Sequence, residues 1–358
     1  MRRGLMSWSR EELPASVLDE RVARLRAGME RDGLAAVLVY TSFAEPAAVH
    51  WLSNFTPYWS EAMLLVLPAE APILLASLTP RVHGWIREVS HLGEVVSAPR
   101  LAQGALEMLA GKGVRSGSRI GVVGLDSLPA AVAGPLMKGW GTASVVDAGP
   151  LFTALRQPCG KEELALANRA LAIGLAAVAG VPGDVRNTSE LAAAIEASAR
   201  AAGAEEVLHR VAPDLSRAGA LRRLEGEFPL GPTYALELSV AYKGHWVRLG
   251  GSHARGARPA GWDAVEAWVG ESLSRLAETG ADGLAAMPAR QSRWSLESCV
   301  GVQPLTLART HEQEFVHLPP GSLAVFSAHA ALDGGGHWYH SAPLVLGGGG
   351  LRGQVLGG

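Results

Sequence analysis

Two cysteines, Cys159 and Cys299, stand in 358 residues. Two cannot build a disulfide framework or a thiolate metal cluster. An excess of charge of one sign is missing as well. The formal net charge is −2, without the basic surplus of a nucleic-acid binder. No run reaches the roughly 18 apolar residues of a membrane span, and Met1-Arg-Arg-Gly-Leu-Met-Ser-Trp8 lacks the apolar core of a secretory leader. A soluble cytoplasmic protein is the expectation. Lysine is scarce: Lys112, Lys138, Lys161 and Lys243 are its only occurrences, and arginine carries the rest of the positive charge. That bias belongs to a GC-rich coding sequence. There is no internal repeat and no Walker loop.

Core material is plentiful. Hydrophobic residues make up 48% and charged residues 18%, a globular composition, and the length implies two domains. In the first half, helix and strand alternate. Val22, Leu25 and Met29 mark one face of a helix over 17–31, ended by Gly33, and Ala35–Tyr40 reads as a strand buried on both faces. Strands follow at 63–67 and 73–76, close enough to pair antiparallel, and then at 119–123 and 144–147. Helices are expected near 81–88, 101–109 and 128–138. This predicts an α/β domain over 16–154.

The breakers in Leu155-Arg-Gln-Pro-Cys-Gly160 place a boundary at 155. An apolar helix over 161–179 follows, and Asn187 with Glu190 opens an Ala-rich helix through Ala202 in the manner of a capping box. Strands dominate afterwards, at 234–242, 246–251, 298–307, 323–330 and 338–346, interrupted by a helix over 262–278. The second domain, 155–350, is therefore α+β with mostly antiparallel strands. The Gly347–Gly350 run predicts a flexible tail over 351–358.

Several phrases resemble the pita-bread superfamily of creatinase, prolidase and the Xaa-Pro aminopeptidases. They are Gly33-Leu-Ala-Ala-Val-Leu-Val-Tyr40 with His50-Trp-Leu-Ser-Asn-Phe55, the junction Leu155-Arg-Gln-Pro-Cys-Gly-Lys-Glu-Glu-Leu164, and the strand pair Tyr234–Leu249. The resemblance implies a creatinase-like N-terminal α/β domain, a pita-bread C-terminal domain and a homodimer. It also implies a site for two metal ions held by two Asp, one His and two Glu. Those five positions fall on Glu237, Arg248, Ser298, His329 and His340, none of which matches.

Two dications need several anionic oxygens, and a permanently charged Arg248 is never a ligand. A two-metal peptidase is therefore not expected. The first remaining reading is metal-free C–N bond hydrolysis or lyase chemistry on a small amino-acid-derived substrate, as in creatinase. His329, His340 and Glu237 would be catalytic and Arg248 would grip a substrate carboxylate, with no cofactor. The second is a single Fe or Zn ion on Glu237, His329 and His340, two imidazoles and one carboxylate. The third is an inactive paralogue acting as a binding protein. A rewired site in a GC-rich genome suits specialised metabolism.

Further candidates on the substrate side are Ser298, His311, His245 and Trp51. His311 in Thr310-His-Glu-Gln-Glu314 resembles the family's "His-Glu-x-Pro" phrase. His245 at the Lys243-Gly-His turn reads more simply as a surface histidine. Trp51 lies on loops that in this family cover the partner's cavity. Cys299 reads as filler, with Ser298 taking the inward face. Strand alternation puts Tyr339 and His340 on opposite faces, so only one of them reaches the site. The implied partners are a small molecule and a second copy of the chain, not nucleic acid or membrane.

Overall fold

A computed structural model describes residues 7–58, 60–280, 289–298 and 318–357. The chain divides into two compact units, 2–156 and 157–358. The first runs α1 (Ala15–Arg31), β1 (Ala36–Thr41), α2 (Ala47–Ser53), β2 (Ala62–Val66), β3 (Ile73–Ala76), α3 (His83–Val89), β4 (Glu94–Ser97), α4 (Leu101–Gly111), β5 (Ile120–Val123), α5 (Ala130–Trp140), β6 (Val145–Asp147) and α6 (Gly149–Arg156). Its six strands lie in the order β4-β3-β2-β1-β5-β6. β1 is buried throughout because helices cover both faces. Val37 and Val39 enter one core with Trp51 and Phe152, while Ala36, Leu38 and Tyr40 enter the other with α4 and α5. β1–β2 and β2–β3 are antiparallel, the latter as the short connection predicts.

The second unit runs α7 (Lys161–Ala179), α8 (Thr188–Ala201), β7 (Glu206–Ala212), β8 (Thr233–Tyr242), β9 (His245–Ala254), α9 (Trp262–Thr279), β10 (Arg290–Ser298), β11 (Leu323–Ala331), β12 (His337–Val345) and β13 (Gln354–Val355). The strand order is β10-β11-β12-β9-β8-β7, with β13 added on β12, and every pairing is antiparallel. Of the strand expected over 298–307 only Ser298 is described, as the last described residue of β10; 299–317 fall outside the described residues. Within the segment expected as a flexible tail, Gln354 and Val355 pair with β12, and Leu356 is buried.

Local chemistry explains the ends. Asn187 Oδ1 accepts the Glu190 N–H at 2.9 Å, and Glu190 Oε2 accepts the Arg186 N–H at 2.8 Å, which satisfies two donors at the start of α8. Lys243 and Gly244 close the β8–β9 hairpin with φ of 48° and 75°, the two positive values of a type I′ turn. Leu236, Leu238 and Val240 turn towards α7 and α8, and Gly174 lets α7 approach Val240 and Leu249. On the same face of the sheet, Phe326, Ala328, Trp338 and Leu344 pack against α9. The helices thus cover one face along most of the sheet; Leu323 and Val325, which alternate with Phe326, join the α7–α8 core, and intervening residues such as Glu237, His329 and Tyr339 are committed to the other face.

Candidate functional site

Register fixes that other face. Glu237 on β8 pairs with Arg210 on β7 and with Gly250 on β9, and Gly250 pairs with Ser341 on β12. Tyr339 pairs with His329 on β11, which pairs with Arg293 on β10. With a side-chain period of two, Arg210, Glu237, Arg248, Tyr339, His329, Arg293 and Glu297 share one face. The face is curled. β9 and β10 are separated by β12 and β11, a span of about 14 Å in a flat sheet. Yet Arg248 Nη1 lies 2.5 Å from Glu297 Oε2.

Charge alternates through the centre of the face. Glu237 Oε1 accepts from Arg210 Nε at 2.6 Å and lies 2.6 Å from Arg210 Nη2, with Arg248 Nε at 3.8 Å. Its Oε2 accepts the Tyr339 hydroxyl. Arg248 continues to Glu297. Glu237 and Arg248 are sealed, with side chains 5% and 6% exposed, whereas Arg210 and Glu297 reach water at 34% and 31%. Burial opposes the Arg248 charge, but Glu237 and Glu297 outweigh it and hold the guanidinium above its ordinary pKa. Burial, then Glu237, push the Tyr339 phenol well up, so it remains a neutral donor.

His329 stands beside this chain, its ring centroid 4.6 Å from that of Tyr339. Burial, then Arg293, then Arg210 lower its pKa to about 3, so the ring is neutral. Beneath the rings, Ser327 Oγ donates to Ser341 Oγ at 3.1 Å.

Of the residues expected at the site, Glu237, Arg248 and His329 come together. Arg210, Glu297, Arg293 and Tyr339 complete the cluster. β7 gave a weak alternating signal, and the pairing of β10 could not be set without its register. His340 is excluded from the site. It pairs with Gly251, which faces Leu236, so alternation turns it to the helix-covered side. There it stacks on Trp338, and burial lowers its pKa to about 4. A Glu237–His329–His340 metal triad is therefore not assembled. Ser298 is likewise on the far side, one residue from the inward Glu297. Arg248 is not free to grip a substrate, because two carboxylates already hold it. His245 sits at the hairpin turn with Nδ1 2.9 Å from the Lys243 carbonyl, five residues of strand from the Glu237 level. Trp51 is a core residue of the first unit, 2% exposed, with Phe152 edge-on and the Arg21 guanidinium over its ring. It has no surface to offer a ligand. His311 and Cys299 lie outside the described residues.

The donor set does not fit two dications. Both Glu237 oxygens are already engaged by Arg210, Arg248 and Tyr339, arginine is never a ligand, and the guanidiniums around the cluster repel a further cation. Among the described residues no three His, Cys, Asp or Glu side chains gather as a metal site would require. Nor is any described helix long and apolar enough to cross a membrane.

Comparison with known proteins supplies the context. Residues 21–157 match the Creatinase/Prolidase N-terminal domain. No curated protein sequence matches the chain. Solved structures match over nearly the whole length. An Xaa-Pro dipeptidase from Bacillus anthracis has a TM-score of 0.71 at 15% identity, covering 95% of this chain and 97% of the other. A prolidase from Pyrococcus horikoshii gives 0.69 at 14%, covering 94% and 97%. An X-Pro aminopeptidase from Thermotoga maritima gives 0.68 at 12%, covering 94% and 96%. At these identities the likeness establishes the fold, the pita-bread fold that the sequence phrases imply.

Proposed function

We propose that this chain, with its Creatinase/Prolidase N-terminal domain and the full-length fold of the prolidases and X-Pro aminopeptidases, is a metal-independent enzyme. It acts on a small amino-acid-derived substrate that bears a carboxylate, by C–N bond hydrolysis or elimination. The observation that carries this reading is the state of Glu237. Where a dinuclear site needs a carboxylate with lone pairs to give, Glu237 spends both oxygens on Arg210, Arg248 and Tyr339. Guanidinium charge stands in for metal charge.

In this reading His329 is the proton-transfer group. A neutral imidazole offers one lone pair and one N–H, and a bound substrate carboxylate offsets the Arg293 and Arg210 charges that help to lower its pKa, bringing it towards the range a general acid–base needs. Glu237, held between two arginines, fixes Tyr339 and Arg210 in place around the ring. A second reading, a binding protein without turnover, draws on the same saturation of Glu237, which leaves that carboxylate no free oxygen for a reacting group.

The test is metal analysis of protein purified without chelator, followed by assays with dipeptides, N-acyl amino acids and guanidino acids in the presence of EDTA. The expected result is no stoichiometric metal, and turnover that survives EDTA and is lost in His329→Gln. Two equivalents of metal per chain would overturn the proposal. Saturable binding with no turnover of any of the three classes would leave the second reading in its place.

A further inference from the structure

Three guanidiniums and two carboxylates make up the ionised cluster on the curled face. Four of these five groups are matched: Arg210 and Arg248 with Glu237, Arg248 with Glu297. Arg293 is the fifth. It is exposed and forms no ion pair or hydrogen bond among the described residues. On strand register it stands directly opposite His329. Its strand, β10, is one edge of the six-strand path, and β7, which carries Arg210, is the other. Because the sheet curls, guanidiniums from both edges act on the same ring, and both press it towards its neutral form. His329 itself makes no hydrogen bond among the described residues. Among the described residues, the result is one positive charge without a counter-ion beside a neutral ring that has a donor to give.

Resting on the carboxylate-bearing substrate proposed above, we infer that Arg293 and Arg210 bind the substrate's carboxylate against the His329 ring. The charge balance selects a monoanion. A single carboxylate brings the cluster to neutrality, and its two oxygens match the planar fork of one guanidinium. A phosphate monoester would bring a second negative charge towards Glu297 and Glu237, for which the described residues hold no further cation. The role first expected of Arg248 thus passes to Arg293. Arg248 holds the interior together, and Arg293 stands at the solvent end where a ligand arrives.

The experiment follows the His329 imidazole signals by NMR in the full chain, assigned with His329→Gln, at constant ionic strength and pH 7.5. N-acetylglycine is the monocarboxylate probe, with inorganic phosphate and chloride as the other arms. The expected result is a saturable shift with N-acetylglycine and none with chloride. Affinity should fall at least about tenfold in Arg293→Gln and recover in part in Arg293→Lys. Arg293 is exposed, so Arg293→Gln keeps the thermal midpoint of the parent. Absence of a saturable shift, or an Arg293→Gln variant that binds as well as the parent, overturns the inference. Phosphate binding as tightly as N-acetylglycine overturns the monoanion assignment. Metal content, measured separately, tests the reading on which it rests.

Discussion

At the scale of single residues, the site is a set of mutual obligations among buried groups. Tyr339→Phe removes one hydroxyl and strands Glu237 Oε2 away from water. The expected loss is about 1–3 kcal/mol of stability in urea unfolding, with secondary structure retained. Arg248→Leu leaves Glu237 to Arg210 and Tyr339, and Glu297 to water, and should cost about 3 kcal/mol by the same measurement. Glu205 makes a different prediction. Its Oε2 accepts the Gly244 N–H at 2.9 Å, its Oε1 is buried without a partner, and burial raises its pKa to about 7. The folded state therefore holds the proton more tightly than the unfolded one. Stability from this group is complete below about pH 4.5 and is lost as pH rises through 7, a change on the order of 3 kcal/mol. His329 and His340 act in the opposite sense, since their depressed pKa values cost stability as pH falls from about 6.5 towards 3 or 4. The stability of the parent minus that of Glu205→Gln, from unfolding curves at pH 5.5 and 8, should fall by about 2 kcal/mol between the two, since the histidine contribution is common to both proteins and cancels. An unchanged difference would remove Glu205 as the cause of the alkaline loss.

At the scale of elements, the sequence located strands better than faces. Glu237 and Arg248 were legible because both lie in one hairpin whose two-residue turn leaves a single register. His340 and Ser298 were misplaced by one position each. On a strand that error exchanges the site for the helix-packed side, and it puts Tyr339 and Glu297 where His340 and Ser298 had been expected. Nothing local marks the difference. Trp338-Tyr-His-Ser341 is amphipathic in either setting, and only the pairing of β12 with β9 decides. Arg210 was hidden because β7 alternates too weakly to announce itself. The hairpin that was legible is also testable. Gly244→Ala places a Cβ at φ 75° and should cost about 1 kcal/mol, while Lys243→Asn relieves a non-glycine residue at φ 48° and should gain a few tenths. Thermal midpoints of the two variants check the pair, and shifts of the same sign would contradict a type I′ turn.

At the scale of the whole molecule, length, breakers and alternating elements were enough to read an α/β unit followed by an α+β unit, because burial patterns average over many residues. The carboxy-terminal strand was not legible, since a glycine run reads as slack until its partner strand is known. On the proposed metal-independent reading, dialysis against EDTA should leave the thermal midpoint unchanged to within about 1 °C, where loss of a stabilising metal would move it by several degrees. The ion chain through Arg210, Glu237, Arg248 and Glu297 has a consequence for how such a site can change over generations. Each member is the other's counter-ion, so single replacements are penalised and only coordinated ones pass cheaply. Arg248→Asp alone would gather three carboxylates with one guanidinium left among them. A lineage that has entered this arrangement can leave it only by two or more steps taken together, and the chain works as an evolutionary ratchet.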